Sequence, residues 1–329
     1  MYEKDLSNSP CVSILIPVYG HEPYLEETLC SIANENFNKF EIVLVIENIS
    51  EETENTIRNS QLKTRVVNYY ESGGISGAFN HGLKYCEGKY VARMDADDKF
   101  TNNRISTQVD YLEQNPHVGV LGSGYKTIDE AGEYLGRVTP PQTHIAIKWG
   151  LLLKNCIAHP TVMIRRSVLP STNRVYRSEY NLAEDYDLWT RLIEQTTFHN
   201  LTDALIEYRI ESNTKINTKQ ERLSAQISQR EIQKILPQRF SKKAINDMVD
   251  LRKRRIAVSN KESAIQNTHQ LYSEFLTLVG GETAELRRYF IKELAKDIIV
   301  SDNQKKDIRH LLDLIRMEPR ILPELIKKR

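Results

Sequence analysis

A chain of 329 residues, 40% hydrophobic and 27% charged, has the make-up of one large or two ordinary globular domains. Its 14 Gly and 11 Pro exclude a fibrous or long disordered chain. The formal charge of +1 excludes a uniformly basic nucleic-acid binder but hides an imbalance: from Asn213 onward 25 Lys and Arg face 15 Asp and Glu, and before it 20 face 29. Cys11, Cys30, Cys86 and Cys156 are too scattered for a zinc site or disulfide framework, which fits reduced thiols in a cytosolic protein. The first ten residues have no apolar h-region, and runs such as Val12–Tyr19 are too short to cross a bilayer.

In chain order, Val12–Tyr19 reads as a buried strand, Glu22–Asn36 as a helix with Leu25, Leu29, Ile32 and Ala33 at helical spacing, and Phe40–Ile46 as a second strand. Glu51–Ser60 reads as a helix capped by Ser50, Arg65–Tyr70 as a third strand, and Ile75–Cys86 as a helix closed by Gly88. Lys89–Met94 is a fourth strand running into Asp95-Ala96-Asp97-Asp98, followed by a helix over Thr101–Gln114 and a strand over Val118–Gly122. Strands alternating with helices of this length imply βαβ crossovers and an α/β fold whose ligands gather at the strands' carboxyl ends. Beyond Gly124 the pattern predicts a hairpin over Tyr125–Val138, a helix over His144–Leu153, a strand over His159–Ile164, a helix over Glu184–Glu194 and a strand over Leu205–Ile210. After Thr214 only helices are predicted: Lys219–Ile235, Ser241–Ala257, Ala264–Val279, Ala284–Val300 and Gln304–Arg316. The change of class coincides with the change of charge.

Three carboxylates in four residues, Asp95, Asp97 and Asp98, repel one another unless a cation or several donors offset them, and hard divalent cations take such ligands together with substrate phosphates. A solvated acidic turn is the plainer alternative. Glu184-Asp185-Tyr186-Asp187 opens a helix, where acidic residues are favoured by the macrodipole; a carboxylate there becomes a general base only if it faces the Asp97 turn. Pro17-Val18-Tyr19 beside Glu47 suits a planar hydrogen-bonding base, or is an ordinary strand-to-helix loop. His159 and the Arg165-Arg166 pair are open to structural readings. No P-loop, G-x-G-x-x-G, G-x-S-x-G or H-E-x-x-H motif occurs.

Together the segments VSILIPVYGHEPYLEETLCSI, FEIVLVIENISEET, GISGAFNHGL, GKYVARMDADD, HPTVMIRRSVL and AEDYDLWTRL resemble, in order and spacing, the family 2 glycosyltransferases of the GT-A fold. The resemblance covers roughly the first two thirds of the chain and looks most like bacterial enzymes of capsule, exopolysaccharide and O-antigen synthesis. It implies a Rossmann-like, mainly parallel sheet flanked by helices: a catalytic domain over 1–213, with a nucleotide-sugar half to about 124 and an acceptor half over 125–213, and a basic helical region over 214–329. It further implies that Pro17, Val18, Tyr19, Glu47, Asn80 and Asp95 contact the nucleotide-sugar. Asp97, with Asp95 and Asp98, would hold Mn²⁺ or Mg²⁺; Asp185, beside Glu184, would be the base of an inverting transfer; His159 and Trp189 would shape the acceptor side. Glu47 stands where the family usually has Asp, and Phe79 where it often has Arg. The implied donor is a UDP-hexose, and the acceptor a glycan or lipid-linked oligosaccharide. A nucleotidyltransferase or a non-catalytic module with the same fold are the alternatives. The basic tail, with apolar residues interleaved among Lys305, Lys306, Arg309, Arg316 and Arg320, suits peripheral contact with an anionic inner leaflet. Packing of its apolar stripe on the catalytic domain, or homodimerisation, is the plainer alternative.

Overall fold

The structure, a computed structural model, describes residues 10–71, 73–101, 103–172, 174–211, 217–253 and 261–300. The predicted helix over Gln304–Arg316 and the basic terminus lie outside these residues. Over the described residues the chain forms two compact units, Met1–Gln142 with Ile157–Gln220, and Thr143–Cys156 with Glu221–Arg329. The second unit therefore takes in residues 143–156 as well as the C-terminal helices.

The first unit is built on β1 (Val12–Tyr19), α1 (Leu25–Ala33), β2 (Phe40–Glu47), α2 (Glu51–Asn59), β3 (Thr64–Asn68), α3 (Gly74–Leu83) and β4 (Tyr90–Arg93). It continues with β5 (Lys99–Phe100), α4 (Arg104–Gln114), β6 (Val118–Ile128) and β7 (Tyr134–Val138). Ser50 caps α2 as expected, its side chain accepting from the Thr53 amide. Continuous apolar runs in β1 and β2 match strands covered on both faces: Val12, Ile14, Ile16, Ile42 and Leu44 join one buried cluster with Leu25, Leu29 and Ile32 of α1. Each such side chain contributes about 1.5–3 kcal/mol when taken fully out of water.

β3-β2-β1-β4 pair in parallel, as the crossovers predict. Beyond β4 the sheet becomes mixed. The stretch expected as a strand over His159–Ile164 is a single 3₁₀ turn over His159–Thr161 followed by the short β8 (Met163–Arg165). β8 lies antiparallel between β4 and β6. After α6 (Glu184–Leu192), β9 (Thr197–Arg209) pairs in parallel with β6 and antiparallel with β5. The expected hairpin is present as β6–β7, its turn fastened by Asp129 Oδ1 accepting from the amides of Ala131 and Glu133.

The second unit holds α5 (His144–Leu153), α8 (Lys242–Arg252), α9 (Lys261–Val279), α10 (Ala284–Val300) and most of α7 (Thr218–Ile235). Trp149 packs on Tyr272, Phe275 and Phe290 in its core. No helix of the described residues is long and apolar enough to cross a membrane.

Candidate active site

β1 and β2 run in register, so Tyr19 and Glu47 are partners at their carboxyl ends. Strand alternation sends Val18 into the core, buried to 1% exposure, and leaves Tyr19 64% exposed. Val18 thus offers a ligand only its backbone, whereas Pro17 and Glu47 are half-buried and Tyr19 is open. Gly20 and Asn48 turn the chain away from these ends with φ of +66° and +48°, a conformation that Gly adopts freely and Asn tolerates.

Beyond β4, carboxylate oxygens of Asp95, Asp97 and Asp98 come within 4.8 Å of one another. Two elements hold this turn. Thr28 Oγ1 on α1 lies 2.7 Å from the Ala96 carbonyl and 2.8 Å from that of Asp98. Arg209, the last residue of β9, donates its backbone N–H to Asp98 Oδ1 at 2.9 Å and its Nε to the Asp97 carbonyl at 3.0 Å. The same guanidinium reaches the carbonyls of Asp129 and Glu130 and the Glu27 carboxylate. Burial first, and the Asp95 charge second, push the Asp97 carboxyl up to about 6, and they raise Asp98 well above the usual carboxylate range. Glu22 is pushed up to about 7 by burial and then by Asp97, which places a fourth carboxylate beside the turn. The buried Asp98 Oδ2 has no hydrogen-bond partner among the described residues. Close hard oxygens with one left unsatisfied suit a divalent cation, which would relieve the repulsion that raises these groups.

The acids opening α6 divide by environment. Asp187 is fully buried and takes Arg177 through both its oxygens and Arg191 Nε at 3.0 Å. It is a structural anchor. Glu184 is buried, accepts from the Leu182 amide at 2.7 Å, and is raised to about 7 by burial and then by Asp185. Leu182 has φ of +88°, a strained conformation for a branched side chain, and the Glu184 carboxylate fastens it. Asp185 is partly exposed, with Oδ1 on the Tyr186 amide at 2.7 Å. This turn and the acidic turn share one neighbour, Arg93, whose charge lowers both Asp97 and Glu184 against the effect of burial.

His159 and Trp189 are buried, stacked edge-on with centroids 5.5 Å apart, and Trp189 has no exposed surface. His159 Nε2 meets Tyr176 Oη at 3.0 Å, and burial with Arg93 nearby holds its pKa well below the usual range, so the ring is neutral. The pair packs among Phe79, Tyr176 and Phe198, and neither presents an open surface to an acceptor. The Asn80 amide is occupied by the backbone of Tyr176, at 2.7 and 2.9 Å, and so fastens α3 to the segment before α6. Sequence reasoning passed over Glu22, Arg93, Tyr176 and Arg209. A charged residue ending an apolar strand is the signal that marks both arginines.

Residues 13–171 match the family described as Glycosyl transferase family 2. The O-antigen biosynthesis glycosyltransferase WbnJ of Escherichia coli is 31% identical over 209 residues, covering 62% of this chain and 81% of its own. An uncharacterized glycosyltransferase of Haemophilus influenzae is 30% identical over 227 residues, covering 63% and 68%. Among solved structures, S. aureus TarS 1-349 in complex with UDP is similar with a TM-score of 0.55 at 20% identity, over 88% of this chain and 80% of that one. The mannosyltransferase PcManGT of Pyrobaculum calidifontis, in complex with GDP-Man and Mn2+, gives 0.50 at 15% identity, over 98% and 88%. These structural likenesses establish the fold, the GT-A architecture with a helical C-terminal region. With the relatives in sequence they lead to one assignment: the chain belongs to glycosyltransferase family 2.

Proposed function

We propose that this glycosyltransferase moves a sugar, with inversion, from a nucleotide-sugar to a hydroxyl of a glycan or lipid-linked oligosaccharide in bacterial surface-polysaccharide synthesis. A UDP-hexose is the proposed donor. The observation that carries this reading is the joining of two acidic turns around Arg93: Asp95, Asp97 and Asp98 after β4, and Glu184 with Asp185 opening α6. Support for the substrate class comes from TarS, solved with UDP, from PcManGT, solved with GDP-Man and Mn2+, and from the name of WbnJ.

Asp95, Asp97 and Asp98 would hold Mn²⁺ or Mg²⁺, whose charge, when bound, offsets that growing on the departing diphosphate. Pro17, the Val18 backbone, Tyr19 and Glu47 would line the base, with Asn80 acting through the segment it fastens. Asp185 takes the proton of the acceptor hydroxyl as that oxygen bonds to the anomeric carbon, and the bond from that carbon to the phosphate oxygen breaks with its electrons on the leaving group. Glu184 holds the strained turn that aims Asp185. His159 and Trp189 shape the acceptor side from behind.

The test is release of nucleoside diphosphate from UDP-, GDP- and dTDP-sugars with Mn²⁺, repeated on Asp185→Asn. Transfer should fall about 10²–10⁴-fold while donor affinity holds. Retained turnover removes Asp185 as base, and release of sugar 1-phosphate instead points to nucleotidyl transfer. We further propose that the enzyme works in the cytoplasm at an anionic membrane face, supported by the basic, apolar-interleaved sequence after Gln304. Deleting residues 304–329 should abolish co-sedimentation with anionic vesicles; unchanged sedimentation, or none by the intact chain, overturns this.

A further inference from the structure

Arg93 ends β4 and is buried to 7% exposure between the two acidic turns. Its Nη1 pairs with Asp95 Oδ2. Its guanidinium carbon lies 5.3 Å over the Phe79 ring, which is itself fully buried and braced by His159 at 5.0 Å and Tyr176 at 4.9 Å. The planar group is therefore fixed in position by an aromatic platform rather than free to swing.

Other buried arginines of this region commit their donors within the protein. Arg209 distributes its guanidinium over three carbonyls and Glu27. Arg104 uses Gln108 Oε1, the Met94 sulfur and the Arg93 carbonyl. Arg93 differs: its buried Nε has no hydrogen-bond partner among the described residues, and its buried Nη1 has only the Asp95 ion pair. Asp95 is the one carboxylate in direct contact with it, which leaves buried N–H donors unmade, and an unmade donor away from water is unfavourable. Such a group is satisfied by something that arrives with an acceptor. Because Asp95 is already paired to it, the arriving acceptor sits against the metal-binding turn, where an anionic oxygen suits a guanidinium fork.

We propose that Arg93 is an anion-contacting residue of the donor site, its guanidinium donating to an oxygen of the phosphate bonded to the sugar. This rests on the nucleotide-sugar reading above. As the bond between anomeric carbon and phosphate oxygen breaks, that phosphate gains one negative charge. A fixed, desolvated guanidinium beside it favours the transition state without reorganising. The cationic partner of the leaving group thus comes from the strand that carries the acidic turn, while Phe79 on α3 serves as its support.

The experiment is calorimetric titration of the full chain, wild type, Arg93→Lys and Arg93→Met, with UDP and with UMP, in Mn²⁺ and in EDTA. Melting curves confirm that each variant is folded. Arg93→Met should weaken UDP about tenfold or more and leave UMP unchanged in both buffers, because only UDP carries the second phosphate. Arg93→Lys keeps the charge and the Asp95 pair but not the flat fork, so it should weaken UDP by less. It carries the test alone if Arg93→Met does not fold. Equal losses for UDP and UMP, or no loss, overturn the proposal and leave Arg93 as a counter-ion of Asp95. A wild-type chain that binds neither UDP nor, titrated in its place, GDP or dTDP overturns the donor reading itself, an outcome distinct from binding that the variants fail to change.

Discussion

Asp185 and Asp187 sit two residues apart in one helical turn, and their surroundings give them opposite work. Asp187 is fully buried beneath Arg177 and Arg191, so removing its charge takes a counter-ion from two partly exposed guanidinium groups. Asp187→Asn should cost about 2 kcal/mol in urea unfolding, while Asp185→Asn leaves the midpoint near wild type. Equal stability losses would dissolve the distinction. Asp97 carries a second residue-scale expectation. Its carboxyl is raised from 3.8 to about 6, by burial and then by Asp95, and a cation needs it ionised. Mn²⁺ affinity, titrated between about pH 8 and 5, should therefore fall as the pH drops through about 6. The metal-free chain has the opposite sign. An acid whose pKa is higher folded than unfolded favours folding when protonated, so melting in EDTA should rise as the pH falls, first from about pH 8 to 6 through Glu22 and Glu184, both raised to about 7, and then below about 6 through Asp97. A flat Mn²⁺ affinity over that range would exclude Asp97 as a ligand.

At the scale of elements, the strands legible in the sequence are those covered on both faces, β1 and β2, because double burial writes an unbroken apolar run. β5 has two residues and β8 three, too few for any period to show. β9 begins in the polar stretch from Thr197, half of it exposed to intermediate degree, so only its apolar second half reads as strand. The antiparallel β8 between β4 and β6 comes from long-range pairing that no local pattern encodes. The site divides the same way. Clustered acids announce themselves at a strand end, whereas Arg209 acts on Asp97 from 112 positions away. α3 shows how tightly an element can be specified. A Cβ on Gly82 would stand 2.5 Å from both Leu15 Cδ1 and Val45 Cγ2, side chains of two fully packed strands. Alanine gains about 1 kcal/mol of helix propensity there, but overpacking costs about 1–3 kcal/mol, and these neighbours have nowhere to move. Gly82→Ala should therefore lower the denaturation midpoint; a gain would mean that α3 sits off the sheet.

For the whole molecule, the split of charge at Asn213 corresponds to a split in how stability is built. The first unit relies on a sheet covered by helices and places its buried charges around the acidic turns. The second relies on an apolar helical core that recruits α5 through Ala146, Trp149, Leu152 and Leu153. Within it lies an ion cluster: buried Arg252 donates to Asp297 at 2.5 Å and Glu293 at 3.1 Å, and Lys154 and Lys296 close on Glu293 at 2.9 and 2.6 Å. Glu293 keeps two cations if Arg252 is lost, whereas Asp297, fully buried, loses the larger of the two charges, Arg252 before Lys154, that offset its burial. Arg252→Met should thus cost about 3–5 kcal/mol, dominated by Asp297. Because every residue assigned to donor and base lies in the first unit, UDP affinity measured below the melting range should stay at the wild-type value. A fall in UDP affinity in proportion to the lost stability would show instead that the helical unit helps to hold the donor site.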